Sequence, residues 1–238
     1  QRGGEPSRSR QKLLGGLRTP EIAVSVLDVK VKPNLTVGYV MGVGDEIPPA
    51  LEQLGARVEL LTEDQLAWGD LGRFDVVMTG VRAYERRADL RAYNQRLLDY
   101  ARAGGTVIVN YNKFEVNQAQ YGPYPGKVGS RRVTDEHSKV TVLQPQHPVF
   151  TTPNRITQDD FRNWRQERNA YGFQTFDARY TPLLESHDPW DTEQKGGLVY
   201  ARLGKGHYVY SAYSWFRQLP DGVPGAYRIV ANLISLGD

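Results

Sequence analysis

The chain has 238 residues, of which 39% are hydrophobic and 24% are charged, and it contains no cysteine. This composition is typical of a folded globular protein, and the missing cysteine excludes disulfides, thiolate catalysis and cysteine-ligated zinc. The net charge of +3 arises in residues 1–18, where five basic residues outnumber one acidic residue, so a pI of about 9.0 does not indicate nucleic-acid binding. No apolar run approaches the ~18 residues of a membrane-spanning helix, so we expect no membrane span.

The first half of the chain alternates segments typical of strands and helices. Residues 1–21 are rich in Gly, Ser and Arg, which predicts a flexible tail or linker remnant, and residues 22–31 alternate like an edge strand. The next segments predict, in order, a strand at 36–41, a helix at 47–54, strands at 58–61 and 74–79, a helix at 90–103 and a strand ending at 109. Such alternation is typical of a doubly wound, mostly parallel sheet.

The second half is less regular. The segment from about 114 to 195 is rich in turn-forming residues, which predicts an insertion that caps the sheet. Two β-rich runs, 197–202 and 206–211, predict a hairpin, and residues 226–236 predict a closing apolar helix. We therefore expect one α/β domain over residues 22–238, with an inserted cap and a C-terminal hairpin plus helix.

The residues just past the strands are the first candidates for a binding site, because ligands of open parallel sheets bind outside the carboxyl ends of the strands. An arginine, two amides and several aromatic rings are suitable for a sugar or carboxylate pocket. Alternatively, these groups tie loops together, and Asp45 stabilises the start of a helix through its dipole. The strand-end candidates are Asp45, Arg82, Tyr84, Asn110, Tyr111, Asn112, Trp215 and Arg217.

Two further candidates, Glu167 and Arg168, follow Trp164 in the cap. They either form a structural ion pair with neighbours or face the pocket beside Arg217. Carboxylates of the cap such as Glu115 or Glu167 would be the acid and base of a carbohydrate hydrolase or lyase, although their spacing in sequence cannot place them together.

The motifs of other common sites are missing from the sequence. The four histidines form no metal-binding pair, no G-x-S-x-G motif is present, and Gly42-x-Gly44 lacks the third glycine of a dinucleotide-binding loop. We therefore predict no metal, no cofactor and no nucleophilic catalytic residue.

Seven segments are distinctive when they are taken together: 37–51 (VGYVMGVGDEIPPAL), 74–84 (FDVVMTGVRAY), 94–100 (NQRLLDY), 152–157 (TPNRIT), 164–168 (WRQER), 214–220 (SWFRQLP) and 222–228 (GVPGAYR). In combination they resemble the C-terminal, class I glutamine amidotransferase-like (ThuA-like) domain of large bacterial PIG-L/LmbE-like deacetylases. The resemblance covers residues from about 22 to 238.

The resemblance implies a flavodoxin-like fold and an accessory role in an exported envelope or saccharide-processing protein. The His-Pro-Asp-Asp zinc motif of the deacetylases is missing, since His147-Pro148 is followed by Val149. The position of the amidotransferase cysteine is occupied by Asn110, Tyr111 and Asn112. The resemblance thus implies a non-catalytic domain that binds a saccharide or docks against a deacetylase domain.

Overall fold

A computed structural model describes residues 26–237. The predicted tail, residues 1–21, lies outside this range. The strands are β1 (Thr36–Val40), β2 (Arg57–Leu60), β3 (Val76–Thr79), β4 (Thr106–Asn110), β5 (Gly126–Val128), β6 (Arg132–Val133), β7 (Val140–Val142), β8 (Asn169–Ala170), β9 (Phe173–Phe176), β10 (Thr181–Pro182), β11 (Leu184–Ser186), β12 (Leu198–Leu203) and β13 (Gly206–Ser211).

The α-helices are α1 (Ile47–Gln53), α2 (Glu63–Trp68), α3 (Ala83–Arg86), α4 (Ala88–Ala92), α5 (Asn94–Ala103), α6 (Glu115–Ala119), α7 (Pro148–Thr151), α8 (Trp215–Gln218) and α9 (Pro224–Ile234). Two short 3₁₀ segments, Leu71–Arg73 and Gln158–Phe161, complete the regular structure.

A seven-stranded, mostly parallel sheet forms the centre of the protein, in the order β10-β12-β13-β4-β3-β1-β2. The five strands from β13 to β2 are mutually parallel, and β12 and β10 add antiparallel strands at one side. A mixed α/β fold with a largely parallel sheet, as the sequence predicts, is therefore confirmed. The parallel arrangement places the loops after β1, β3, β4 and β13 at one edge.

Side chains of the central strands alternate between two apolar layers. Tyr39, Met78 and Ile108 pack on one face with α1 and α9, whereas Val77 and Val109 pack on the other with α2 and α5. Strands covered on both faces need nearly continuous apolar sequence, which accounts for runs such as TVIVN in β4. This burial fixes the register of the sheet and so the positions of the loops at its ends.

Residues 114–195 connect β4 to β12 and build most of the small elements. They form the two-stranded pairs β5-β9, β6-β8 and β7-β11, and they also supply β10 of the central sheet. An isolated bridge between Asn169 and Tyr213 ties this region to the segment after β13. The cap region therefore reaches the carboxyl edge of the sheet.

Some element boundaries differ from those expected. Residues 26–31 of the predicted edge strand have no regular structure, because their backbone is held by side chains: Asn154 bonds both the N–H and the C=O of Lys30. The helix expected at 90–103 is divided at Tyr93, whose backbone leaves helical geometry, into α4 and α5. No helix of residues 26–237 is long and apolar enough to cross a membrane.

Candidate ligand-binding site at the carboxyl ends of the strands

Asp45 fixes the loop after β1 against the loop after β3. One carboxylate oxygen accepts a hydrogen bond of 2.7 Å from the buried Tyr39 hydroxyl and one of 3.1 Å from the Ile47 amide, and the other accepts from the Val81 amide at 3.1 Å. Burial and the nearby Asp45 charge raise the pKa of Tyr39 well above its usual value. Asp45 therefore acts as a tie between two loops and a support of the start of α1.

Asn110 and Asn112 bind backbone groups in the turn after β4. The Asn110 amide donates to the Thr79 carbonyl at 2.9 Å. Asn112 donates to the Asn110 carbonyl at 2.7 Å and accepts from the Tyr84 amide at 3.2 Å. Both asparagines are buried and hold the turn through these bonds, while the Oδ1 atom of Asn110 is buried with no hydrogen-bond partner among residues 26–237.

Tyr84 and Trp215 are also interior residues. The Tyr84 hydroxyl donates to Asn94 at 2.6 Å, and its ring stacks on Tyr121 with centroids 4.6 Å apart. Trp215 packs edge-on against Trp164 with centroids 5.4 Å apart. These two aromatic candidates contribute to the core beneath the site.

Arg82 stands at the edge of the site in an unusual backbone conformation. Its φ of 54° lies in the left-handed region, which is unfavourable for a side chain larger than glycine. Its amide donates to the Tyr111 carbonyl at 2.8 Å, and its guanidinium binds both carboxylate oxygens of Glu85 at 2.5 and 2.6 Å. Strained residues concentrate at functional sites, which makes this loop a functional candidate.

Replacing Arg82 by glycine should give a protein about 1 kcal/mol more stable than replacing it by alanine, because glycine adopts positive φ without strain. Both variants lose the Glu85 pair, so their difference isolates the backbone. Urea denaturation measures the difference between the two variants in the free energy of unfolding. Arg86, in the helical conformation of α3, is the matched control, where glycine should be less stable than alanine. Equal stability of the two Arg82 variants would show that the left-handed backbone at residue 82 is not strained.

Four aromatic rings meet at the ends of β4 and β13. Tyr111 contacts Tyr171 and Phe216 edge-on, with centroids 5.6 and 5.7 Å apart, and Phe114 contacts Tyr171 at 5.7 Å. Phe114 is 50% exposed, Phe216 is partly buried, and Tyr111 and Tyr171 are largely buried. We call these four residues the strand-end aromatic cluster.

Charged side chains border the strand-end aromatic cluster. Arg132 forms an ion pair with Glu167 and donates to the Tyr171 hydroxyl at 3.3 Å. The ammonium nitrogen of Lys113 lies 5.5 Å from the centre of the Tyr171 ring, a cation–π distance. Tyr171 has a φ of 62°, so the border contains a second left-handed residue.

Burial and the charged residues at the border together determine the pKa of Tyr111. Burial raises the pKa of Tyr111, as do the neighbouring Tyr171 and the negative charge of Glu167, while Arg132 and Arg82 act in the opposite direction. The phenol therefore stays neutral at physiological pH and is a hydrogen-bonding group rather than a nucleophile.

Arg217 and Arg168 differ in their exposure and in their hydrogen-bond partners. Arg217 is exposed and donates to the Gln166 carbonyl at 2.7 Å. Arg168 is buried, and its guanidinium donates to the carbonyls of Glu136, Ser138 and Phe161 rather than to a residue of the cluster. Of the cap candidates, Glu167 therefore borders the site and Arg168 does not.

The structure brings Arg82, Tyr111 and Glu167 together but adds residues that the sequence reasoning missed. Phe114, Arg132, Tyr171 and Phe216 complete the surface. Arg132 and Tyr171 belong to the cap, and nothing in the sequence indicates that β6 and β8 pair beside the end of β4. Phe216 follows the predicted Trp215 directly, so inspection of both neighbours would have found it.

The site offers recognition groups more readily than catalytic ones. Glu115 accepts from the Lys113 amide at 2.9 Å, and Glu167 is paired with Arg132. Among residues 26–237, the carboxyl groups whose pKa is clearly lowered lie outside this site, at Glu59, Asp89, Asp177, Asp188, Asp191 and Glu193. The same residues contain no group of three or more His, Cys, Asp or Glu placed to hold a metal ion.

Comparisons with known proteins show similarity at the level of the fold. No protein-family profile matches the sequence, and no curated protein matches it. Cytoplasmic proteins STM3548 and STM1381 of Salmonella typhimurium superpose with TM-scores of 0.53 and 0.54 at 12% identity, covering 85% and 86% of this chain and 99% and 100% of theirs. The exo-β-1,4-mannosidase Op5Man5 from Opitutaceae bacterium strain TAV5 superposes with a TM-score of 0.51 at 11% identity, over 87% of this chain and 36% of that one.

Proposed function

We propose that this chain is a non-catalytic saccharide-binding domain whose ligand lies on the strand-end aromatic cluster. The observation that carries the proposal is the turn after β4, where the amide groups of Asn110 and Asn112 donate to backbone carbonyls while Tyr111 packs in the strand-end aromatic cluster behind the half-exposed Phe114. Aromatic faces pack against the C–H faces of sugar rings, and charged groups at the border bind hydroxyls.

We also propose that the central sheet is flavodoxin-like, as in class I glutamine amidotransferase-like domains. Its support is the order of the five parallel strands, β2-β1-β3-β4-β13, which corresponds to the 2-1-3-4-5 order of flavodoxin-like sheets. The resemblance to the C-terminal domain of PIG-L/LmbE-like deacetylases supports an accessory role beside a deacetylase domain in an exported protein. Without a cysteine, such a domain has no glutaminase activity.

The fold comparison is compatible with a saccharide ligand. Op5Man5 is described as an exo-β-1,4-mannosidase, and the similar region is about a third of its chain. A domain of this fold thus occurs within a protein that acts on saccharides. The alternative, a hydrolase or lyase using Glu115 and Glu167, is less well supported because both carboxylates already accept hydrogen bonds from neighbours.

Phe114→Ala should abolish or weaken saccharide binding at least tenfold while the protein stays folded, because the Phe114 ring is half exposed and contributes contact surface. Isothermal titration with N-acetylglucosamine, glucosamine and di-N-acetylchitobiose measures the affinities. A thermal shift provides a second readout, since ligand at 100 times its Kd adds about 2.7 kcal/mol of stability.

Trp68→Ala is the matched control, because Trp68 is also an exposed aromatic residue but lies at the end of α2. It should leave every affinity unchanged. A panel without binding to the wild-type protein would contradict the saccharide proposal and favour docking against another domain. Turnover of any sugar in the panel would contradict the non-catalytic role.

A further inference from the structure

A concave site lies in the cap and shares no lining residue with the strand-end aromatic cluster. Its volume is about 680 Å³, within the usual range for small-molecule sites. Residues 136–140 form one wall and residues of the 158–168 segment form the other. Trp164 and Phe161 provide apolar backing, with ring centroids 5.8 Å apart.

The charged groups of this cavity are mostly basic. Lys139, Arg162, Arg165 and Arg168 line it, against the single carboxylate of Glu136. The exposed arginines are neutralised, Arg162 by Asp159 at 3.0 Å and Arg165 by Asp221 at 2.7 Å.

The carboxylate of Glu136 is engaged, since it accepts from the Gln166 amide at 2.8 Å. Lys139 is exposed, and within residues 26–237 it forms neither an ion pair nor a hydrogen bond. The cavity therefore has an unpaired cation, Lys139, and a carboxylate, Glu136, whose charge is directed at the Gln166 amide rather than at a basic side chain.

Arg168 adds a buried positive charge that no contacting carboxylate neutralises. It is 2% exposed, and three of its hydrogen bonds go to carbonyl oxygens. Its Nε–H is buried without a partner. Asp135 and Glu136 interact with the guanidinium only through space. Since a buried charge is weakly screened, its field extends into the adjoining cavity.

We propose that this cavity binds a small organic anion of about one ring, with its carboxylate or phosphate group on the Lys139 ammonium. Arg168 is the positioning charge behind the wall, and the buried rings of Phe161 and Trp164 form the apolar backing of the cavity. Lys139 is thus a binding residue that neither the fold nor the strand-end site requires.

Isothermal titrations with glucose 6-phosphate, glucuronate and glucose test the proposal, using the Phe114→Ala protein so that the strand-end aromatic cluster does not contribute. At least one of the two anions should bind, and glucose should not. Which anion binds more tightly distinguishes a phosphate from a carboxylate ligand. Lys139→Glu should weaken binding at least tenfold, and added salt should weaken it further, as screening of an exposed cation requires.

Lys127→Glu is the matched control, because it makes the same charge change at an exposed position of β5 that does not line the cavity. It should leave the affinity unchanged. Failure of both anions to bind, equal affinity of Lys139→Glu and the parent protein, or an equal loss in Lys127→Glu would overturn the proposal. Loss of saccharide binding at Phe114 would leave these results unaffected, so the two sites are tested separately.

Discussion

Replacing Arg168 by methionine is expected to lower the free energy of unfolding by about 3–5 kcal/mol, because it leaves three carbonyl acceptors without their donor. Within the cap, the guanidinium links the carbonyls of Glu136 and Ser138 to the carbonyl of Phe161. It also lies 5.6 Å from the centre of the Trp164 ring. Methionine fills a similar volume but offers no hydrogen bond. Urea denaturation at neutral pH measures the loss.

Two further variants show whether the stability lost in Arg168→Met comes from the hydrogen bonds of the guanidinium. Arg168→Lys retains the charge but not the planar fork, so it should also be clearly destabilised. Arg165→Met is the matched control, because Arg165 is exposed and its pair with Asp221 should contribute less than about 1 kcal/mol. If Arg168→Met were as stable as Arg165→Met, Arg168 would not hold the cap.

Asp188→Asn should lower the free energy of unfolding by about 2–4 kcal/mol at pH 7, because the buried Asp188 carboxylate accepts from several donors at once. The Thr134 and Asp135 amides donate at 2.9 Å, the Thr134 hydroxyl at 2.7 Å and the Ser138 hydroxyl at 3.0 Å. An asparagine amide would direct its own N–H groups at these donors. Denaturant unfolding gives the difference.

The Asp188 effect should also depend on pH. Burial acts to raise the pKa of Asp188, but hydrogen bonds from the Asp135 and Thr134 amides and from the hydroxyls of Thr134 and Ser138 outweigh it, so the pKa is lowered. A lowered folded-state pKa contributes stability above the unfolded value of about 3.9 and loses it as the pH falls further.

The stability difference between wild type and Asp188→Asn should therefore be constant from neutral to weakly acidic pH and shrink in strong acid. Asp221→Asn, at an exposed ion pair, is the control and should have little effect at any pH. A difference that grows in acid would contradict the assignment.

The inner part of the central sheet could be predicted from the sequence because strands β1, β3 and β4 are buried on both faces. Runs such as VVMT in β3 and TVIVN in β4 have no other stable environment in a globular protein. Gly104, with a φ of 132°, also ends α5 where the sequence predicts. Local composition thus fixes these elements.

The cap and the site could not be predicted in the same way. Arg168 looks in sequence like a partner for a carboxylate, yet its donors bind carbonyls that are about 30 residues away in the chain or on the preceding turn. The pairing of Glu167 with Arg132 likewise depends on the β6-β8 contact. Sequence reasoning identifies polar groups at strand ends, but only long-range packing decides which of them remain available.

Binding of a saccharide at the strand-end aromatic cluster can be followed residue by residue by NMR. An amide ¹H–¹⁵N spectrum of the wild-type protein would be recorded during titration with di-N-acetylchitobiose. We expect saturable shifts concentrated at Tyr111, Phe114, Tyr171 and Phe216, with the disaccharide recovered intact. Shifts confined to other surfaces, or cleavage or deacetylation of the disaccharide, would contradict it.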